Sequence, residues 1–231
     1  MSRIDLPDTL AGLIQQYCSK PWQERIRKAC TLLSFQPGED IFQEHAPADQ
    51  LYIVKQGKVK VYSTYAPGSM RILRFARDGQ VLGHRGIGMD FTYTVTATAL
   101  APTTVMAIPM QLFLNAVEAN SAFALRFMLF MAEELRRSEE QTRNLINLGV
   151  EQRVAKALRA TITCFGFDPD DRTLLAYTPS RQDLADYAGA SYEATIRALS
   201  ALQRKKLIKN VGKEIRIVDR EGLEAQVTRK E

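Results

Sequence analysis

Hydrophobic and polar positions change their period twice along the chain. Over residues 8–33 the spacing is helical: Leu10, Leu13, Ile14 and Tyr17 recur on one face, and Pro21 opens a second piece carrying Trp22, Ile26 and Leu33. From Phe35 to Pro109 the texture becomes short alternating runs punctuated by glycine. Leu51, Ile53, Val59 and Val61 alternate with residues such as Lys58, Lys60 and Tyr62. Ile72, Leu73 and Phe75 follow, then Thr94 to Leu100 and Val105 to Ile108. Turn pairs stand at Pro37-Gly38, Gln56-Gly57, Pro67-Gly68 and Asp78-Gly79. Short strands at intervals of roughly 8–12 residues with turn signals between them predict a β-sandwich or barrel.

After Pro109 the helical period returns. A long helix is expected over 121–148, with Met128, Met131, Leu135, Ser138, Thr142 and Leu145 three and four residues apart. A helix this long with a narrow seam needs a partner, and a second copy of the chain is the simplest one. Gly149 breaks the pattern, and a new helix carrying Val154, Ala157 and Leu158 starts near Val150. A polar loop at residues 168–171 precedes a short strand expected over Leu174 to Tyr177.

Residues 178–218 carry the most information. Ser180 with Asp183 three positions on reads as a helix cap, and Leu184 and Ala185 give that helix a small apolar inner face. Gly189 ends it in a sharp turn, and Ser191 caps a second helix whose inner face is read as Ile196, Leu199 and Leu202. A small residue four positions before the turn glycine lets two helices cross closely, as a helix-turn-helix requires. Residues 210–213 read as a hairpin turn, and Ile215 and Ile217 alternating with Arg216 complete a wing. The early positions of the second helix (Ser191, Tyr192, Glu193, Thr195 and Arg197) are expected to face a DNA major groove, with Ser180, Arg181, Gln182 and Lys213 contacting the duplex around them.

Composition narrows the chemistry. The chain has 231 residues, of which 45% are hydrophobic and 25% charged, enough for one large domain or two small ones. The net charge of +5 is modest, but between Arg197 and Arg220 eight basic residues meet only two acidic ones. That local +6 lies beside the proposed reading helix, where phosphate contacts are needed. No run of 18 apolar residues occurs, and the opening octapeptide lacks the basic-then-apolar form of a signal peptide, so a cytoplasmic protein without membrane contact is expected. Cys18, Cys30 and Cys164 make neither a disulfide framework nor a CxxC site. The two histidines, His45 and His84, belong to no zinc or triad pattern, which points away from an enzyme. A cupin-like metalloenzyme would need a His-x-His set that is absent; a ligand-sensing adaptor with a protein-binding winged helix is the alternative reading.

This order of elements resembles the CRP/FNR superfamily of bacterial transcription regulators. The resemblance rests on Phe35-Gln-Pro-Gly38, Ala48 to Gly57, Asp78 to Gly83, Ser180 to Leu202 and Leu207 to Val218. It implies an α+β chain in three parts. Residues 1–120 would hold N-terminal helices and an antiparallel, jelly-roll-like effector β-roll, 121–149 a dimerisation helix and hinge, and 150–231 a winged helix-turn-helix. It also implies a homodimer on double-stranded DNA, contact with RNA polymerase and a small-molecule effector. By position the base-reading trio falls on Tyr192, Glu193 and Arg197. Tyr192 stands where many members have Arg, so a half-site departing from TGTGA is expected.

The effector position departs from the family pattern. Members that bind cyclic AMP carry Gly-Glu and, about ten residues later, Arg-Ser/Thr. Here the matching pairs are Gly83-His84 and Tyr93-Thr94. The phosphate loses its cation and a charge-assisted bond of about 1.5–3 kcal/mol. Arg85 is a substitute on the wrong side of the loop. In those members the purine is also touched from the dimer helix, and the corresponding positions here are Ser138 and Glu139; Ser138 fits that role and equally an ordinary heptad position. Cyclic nucleotide, an iron–sulfur cluster and haem are each disfavoured, the cluster because three scattered cysteines cannot supply four ligands. An apolar or aromatic-acid ligand bounded by Ile87, Met89, Phe91 and Tyr93, or no ligand, is the default expectation.

Overall fold

The computed structural model describes residues 9–66 and 68–228. The octapeptide and Pro67 lie outside the described residues. The chain forms two compact units: residues up to Ser63 with Ala76–Glu139, and Thr64–Phe75 with the chain from Glu140 onward.

In the first unit, α1 (Leu10–Tyr17) is capped by Thr9, whose hydroxyl accepts from Gly12 N at 3.1 Å. Helix α2 (Lys20–Ala29) carries Pro21 in its first turn, where the missing N–H costs nothing. Leu10, Leu13 and Ile26 turn inward. The helix stops sooner than the spacing suggests. Leu33 belongs to strand β1 (Thr31–Phe35), which pairs antiparallel with β8 (Thr103–Pro109), Leu33 opposite Val105. A continuous ladder of backbone hydrogen bonds outweighs one apolar residue at helical spacing.

The remaining strands are β2 (Asp40–Phe42), β3 (Gln50–Gln56), β4 (Lys58–Ala66), β5 (Ser69–Arg77), β6 (Val81–Leu82) and β7 (Thr96–Ala99). They form two four-stranded sheets ordered β1-β8-β3-β6 and β2-β7-β4-β5. Leu51, Ile53, Val54, Val59, Val105 and Ile108 fill the space beneath them, each at most 1% exposed. A fully buried side chain of this size stabilises by about 1.5–3 kcal/mol. Gly57 turns β3 into β4 at φ 134°, and a Cβ there would stand 2.7 Å from Thr103 Cα, so only glycine fits.

Helix α3 (Met110–Ala119) leads into α4 (Ser121–Asn147) through Asn120. The Asn120 side chain accepts from Ser19 N at 2.9 Å and donates to Ala116 O at 2.6 Å, fixing the break between the helices. Phe113 meets Phe123 and Phe127 edge-on at 5.9 and 5.0 Å, anchoring the first half of α4.

The second unit continues with α5 (Val150–Phe165), entered from Gly149, whose N–H donates to Gln152 Oε1 at 2.9 Å. Then come α6 (Arg181–Ala188), α7 (Tyr192–Arg204), β9 (Ile208–Val211), β10 (Glu214–Ile217) and α8 (Arg220–Thr228). Leu158, Leu184, Leu202, Ile208 and Ile215 make one closed core. The strand expected over Leu174 to Tyr177 reduces to isolated bridges, Phe167 to Leu175 and Leu174 to Arg216. Asp168 and Asp171 accept from the backbone N–H groups of the loop, and those turns leave too little extended chain for a ladder.

Candidate nucleic-acid interface and effector position

Two serines set the angle between α6 and α7. Ser180 Oγ accepts from Asp183 N and donates to the Asp183 carboxylate at 2.7 Å. Ser191 Oγ accepts from Ala194 N at 3.2 Å. Between them Gly189 adopts φ 58°, the left-handed conformation that reverses the chain in few residues. Leu184, Ala185 and Ala188 of α6 and Ala198, Leu199 and Leu202 of α7 are buried on the side where the helices meet.

The opposite face of α7 presents Tyr192, Glu193, Ile196, Arg197 and Ser200 to solvent. This revises two sequence expectations. Thr195 is 0% exposed, with its hydroxyl donating to Ser191 O at 3.0 Å, so it is a packing residue and does not reach a groove. Ile196, read as part of the inner face, is 36% exposed. Both follow from a rotation of the helical wheel by one position, and the β-branched side chain at 195 takes the inner place. Ser200 joins the outer stripe one turn beyond Ile196; the four-residue step was the signal for it.

The wing is the β9–β10 hairpin, closed by Gly212-Lys213 with Val211 opposite Glu214. Arg181 was expected on DNA, yet its guanidinium donates to Lys213 O at 3.1 Å and to Asn210 Oδ1 and Gly212 O at 3.3 Å. It therefore ties the wing to the start of α6, and burial lowers its pKa. Gln182 donates to Asp186 at 2.7 Å from an exposed position, and Lys213 is exposed at the wing tip. Of the basic cluster, Arg216 pairs with Asp171 and Lys205 with Glu151. Arg204, Lys206 and Lys209 are exposed beside the wing, each without an ion pair among the described residues.

In the first unit, Gly83 (φ 83°) leads into a single 3-10 turn, His84–Gly86. His84 is 2% exposed, and its Nε2 lies 3.3 Å from Glu134 Oε2 of α4. Arg85 Nη2 reaches the same oxygen at 3.4 Å, and Arg137 Nη1 donates to Oε1 at 3.1 Å. Phe130 closes edge-on against the imidazole at 5.4 Å. Tyr93 is equally committed: its hydroxyl donates to Gln50 O at 2.6 Å, and its ring stacks on Phe42 at 4.1 Å. Burial raises its pKa well above the usual phenol range. Thr94 is exposed, and Ser138 is half-buried one helical turn past Glu134. The apolar boundary expected at Met89 and Phe91 is absent: Met89 is 105% and Phe91 39% exposed. The bend that carries them holds Phe91 at φ 45°, and the isolated bridge between Pro47 and Thr92 closes behind it. Glu134 is the residue that sequence reasoning missed. In the run Ala132-Glu133-Glu134-Leu135 it reads as a solvated charge, and its partners lie 49 and 50 positions away.

Two family models match the chain. The cyclic nucleotide-binding domain covers residues 32–120, and the Crp-like helix-turn-helix domain covers 152–226. The chain belongs to the CRP/FNR superfamily. Among curated CRP/FNR regulators, transcriptional activator protein anr of Pseudomonas aeruginosa is 27% identical over 79% of this chain and 74% of its own length. The CRP-like cAMP-activated global transcriptional regulator of Mycobacterium tuberculosis is 25% identical over 83% of this chain and 85% of its own. The solved structure of FixK2 from Bradyrhizobium japonicum superposes with a TM-score of 0.76 at 25% identity, covering 87% of this chain and all but 1% of that one (99%). CRP/FNR proteins are transcription regulators, not enzymes. No helix among the described residues is long and apolar enough to cross a membrane.

A cyclic nucleotide does not fit the residues of this CRP/FNR chain. An anionic phosphate there would face the Glu134 carboxylate, while position 93 offers a buried phenol instead of a cation. The Glu134 carboxylate already takes the donors of His84 and Arg85.

Proposed function

We propose that this CRP/FNR regulator works as a cytoplasmic homodimer that reads a near-palindromic DNA site through α7. The observation that carries the reading is the outer face of α7. Tyr192, Glu193 and Arg197 stand exposed at the start of a helix whose other side is closed core. Arg197 suits guanine O6 and N7, and Glu193 the amino group of cytosine. Gln182, Ser191 and Lys213, with Arg204, Lys206 and Lys209, supply phosphate contacts around them, whereas the Ser180 hydroxyl is spent on Asp183 as the cap of α6. Arg181 acts indirectly, by holding the wing.

Helix α4 is the dimer element of the proposal. Leu125, Met128 and Leu135 are 51%, 59% and 62% exposed on it, a seam that a second copy would cover. The hinge lies near Gly149, and contact with RNA polymerase follows from the same regulator role. In the β-roll, Glu134 takes the place of an anionic effector, so DNA binding proceeds without cyclic nucleotide.

Electrophoretic shifts against genomic fragments at 50 and 200 mM salt test this. Retention of specific fragments with affinity falling tenfold or more supports it. Salt-insensitive binding, or a requirement for added cyclic AMP, contradicts it.

A further inference from the structure

The second unit contains a small cavity whose wall is basic. Arg71 of β5, Gln141 and Asn144 near the end of α4, Arg153 and Lys156 of α5 and Tyr187 of α6 line it, and all belong to that unit. Three cations and no carboxylate line this space. Glu140, close by, bonds Lys156 at 3.2 Å and satisfies that charge alone. Arg71 and Arg153 have no ion pair among the described residues. The Nε atom of each is buried and without a hydrogen-bond partner.

Such an arrangement is costly as it stands. Burial lowers the pKa of Arg71, and the neighbouring charge of Arg153 lowers it further. Buried donors of a charged group are ordinarily matched by acceptors, and an anion between two like charges relieves their mutual repulsion. The guanidinium fork is the side chain best matched to a tetrahedral oxyanion. The cavity measures about 30 Å³, too small for a base or a sugar.

We propose that this cavity binds one phosphate-sized oxyanion between Arg71 and Arg153, with Lys156 at its edge. The anion is either free inorganic phosphate or the terminal phosphoryl group of a small molecule whose remainder stays outside. Binding joins strand β5 to the start of α5 and the end of α6, next to the turn at Gly189. It stabilises the helix-turn-helix unit by mass action. The site uses none of the residues assigned to DNA, so it stands or falls separately from the DNA-reading proposal.

Titration calorimetry on the full chain at constant ionic strength tests it, with inorganic phosphate, AMP and adenosine as the three titrants. Saturable one-to-one binding of phosphate is expected, weakened at least tenfold in Arg71→Met and in Arg153→Met and unchanged in Lys28→Met, an exposed lysine of α2. AMP binding tighter than phosphate identifies a phosphorylated small molecule as the source, and the reverse order identifies the free ion; adenosine alone should not bind. Phosphorus NMR line broadening of the wild type gives the same answer without any variant. No saturable binding of either phosphorylated titrant up to 20-fold the protein concentration and on to roughly 10 mM, the physiological range of phosphate, overturns the proposal. So does binding that survives both arginine substitutions.

Discussion

Removal of the Glu134 carboxylate is the perturbation that the first unit should feel most. The Glu134 side chain is 9% exposed, and the donors that converge on it are unequal. Arg137 is 63% exposed, so its contact is a surface ion pair of about 0.2–1 kcal/mol. His84 and Arg85 are 2% and 25% exposed, and their contacts with Oε2 are 3.3 and 3.4 Å. Charge-assisted bonds contribute about 1.5–3 kcal/mol each, and these distances place both near the lower end. Glu134→Ala should therefore cost about 3 kcal/mol, or roughly 10 °C in the transition of a unit this size. Glu134→Gln, which keeps the shape and one acceptor, should cost about half as much. Calorimetry with urea unfolding measures both, and a double-mutant cycle with His84→Ala should return a coupling of at least about 1 kcal/mol. A Glu134→Ala protein within about 0.5 kcal/mol of wild type would refute the buried network.

Three further outcomes can be checked on the second unit. Ser191→Ala removes the cap of α7 and should lower its stability by about 1 kcal/mol in urea titrations. The Tyr187 phenol is pushed up to about 12 by burial. The folded chain thus keeps a proton that the unfolded chain releases near pH 10. Its contribution is complete below pH 10 and lost between pH 10 and about 12, so Tyr187→Phe should flatten the alkaline fall in stability over that window. Arg181→Ala frees the wing from α6, and amide exchange at residues 210–214 should accelerate at least tenfold while that of Leu184 stays slow.

The elements easiest to read were those whose signals are local. Ser180, Gly189 and Ser191 set helix ends through contacts within four residues, and all three act as the spacing predicts. Gly38, Gly57 and Gly79 adopt positive φ in the expected turns. Harder were features decided by a distant neighbour. Leu33 became a strand residue because β8 pairs with it from 72 positions away. Which of Thr195 and Ile196 faces inward depends on how α7 rolls against the core, and a helical period alone leaves that angle uncertain by one residue. Arg181 carries the charge of a phosphate contact, and only the return of the wing shows its carbonyl partners. Glu134 is the extreme case: nothing around it in sequence distinguishes it from Glu133, and its role exists only once residues 84 and 85 fold beneath α4.

In the proposed function, Tyr192, Glu193 and Arg197 read the DNA sequence. Selection of binding sites from random duplexes, run in parallel with wild type and Arg197→Ala, measures which base pairs they read. A near-palindromic site is expected for the wild type, with half-sites that depart from TGTGA at the base facing Tyr192. In the variant one symmetric base pair should lose its preference at a cost of about 1–3 kcal/mol, the rest of the site and the melting temperature being unchanged. Plain TGTGA half-sites for the wild type, or an identical selected sequence for the variant, would overturn the assignment of these three residues.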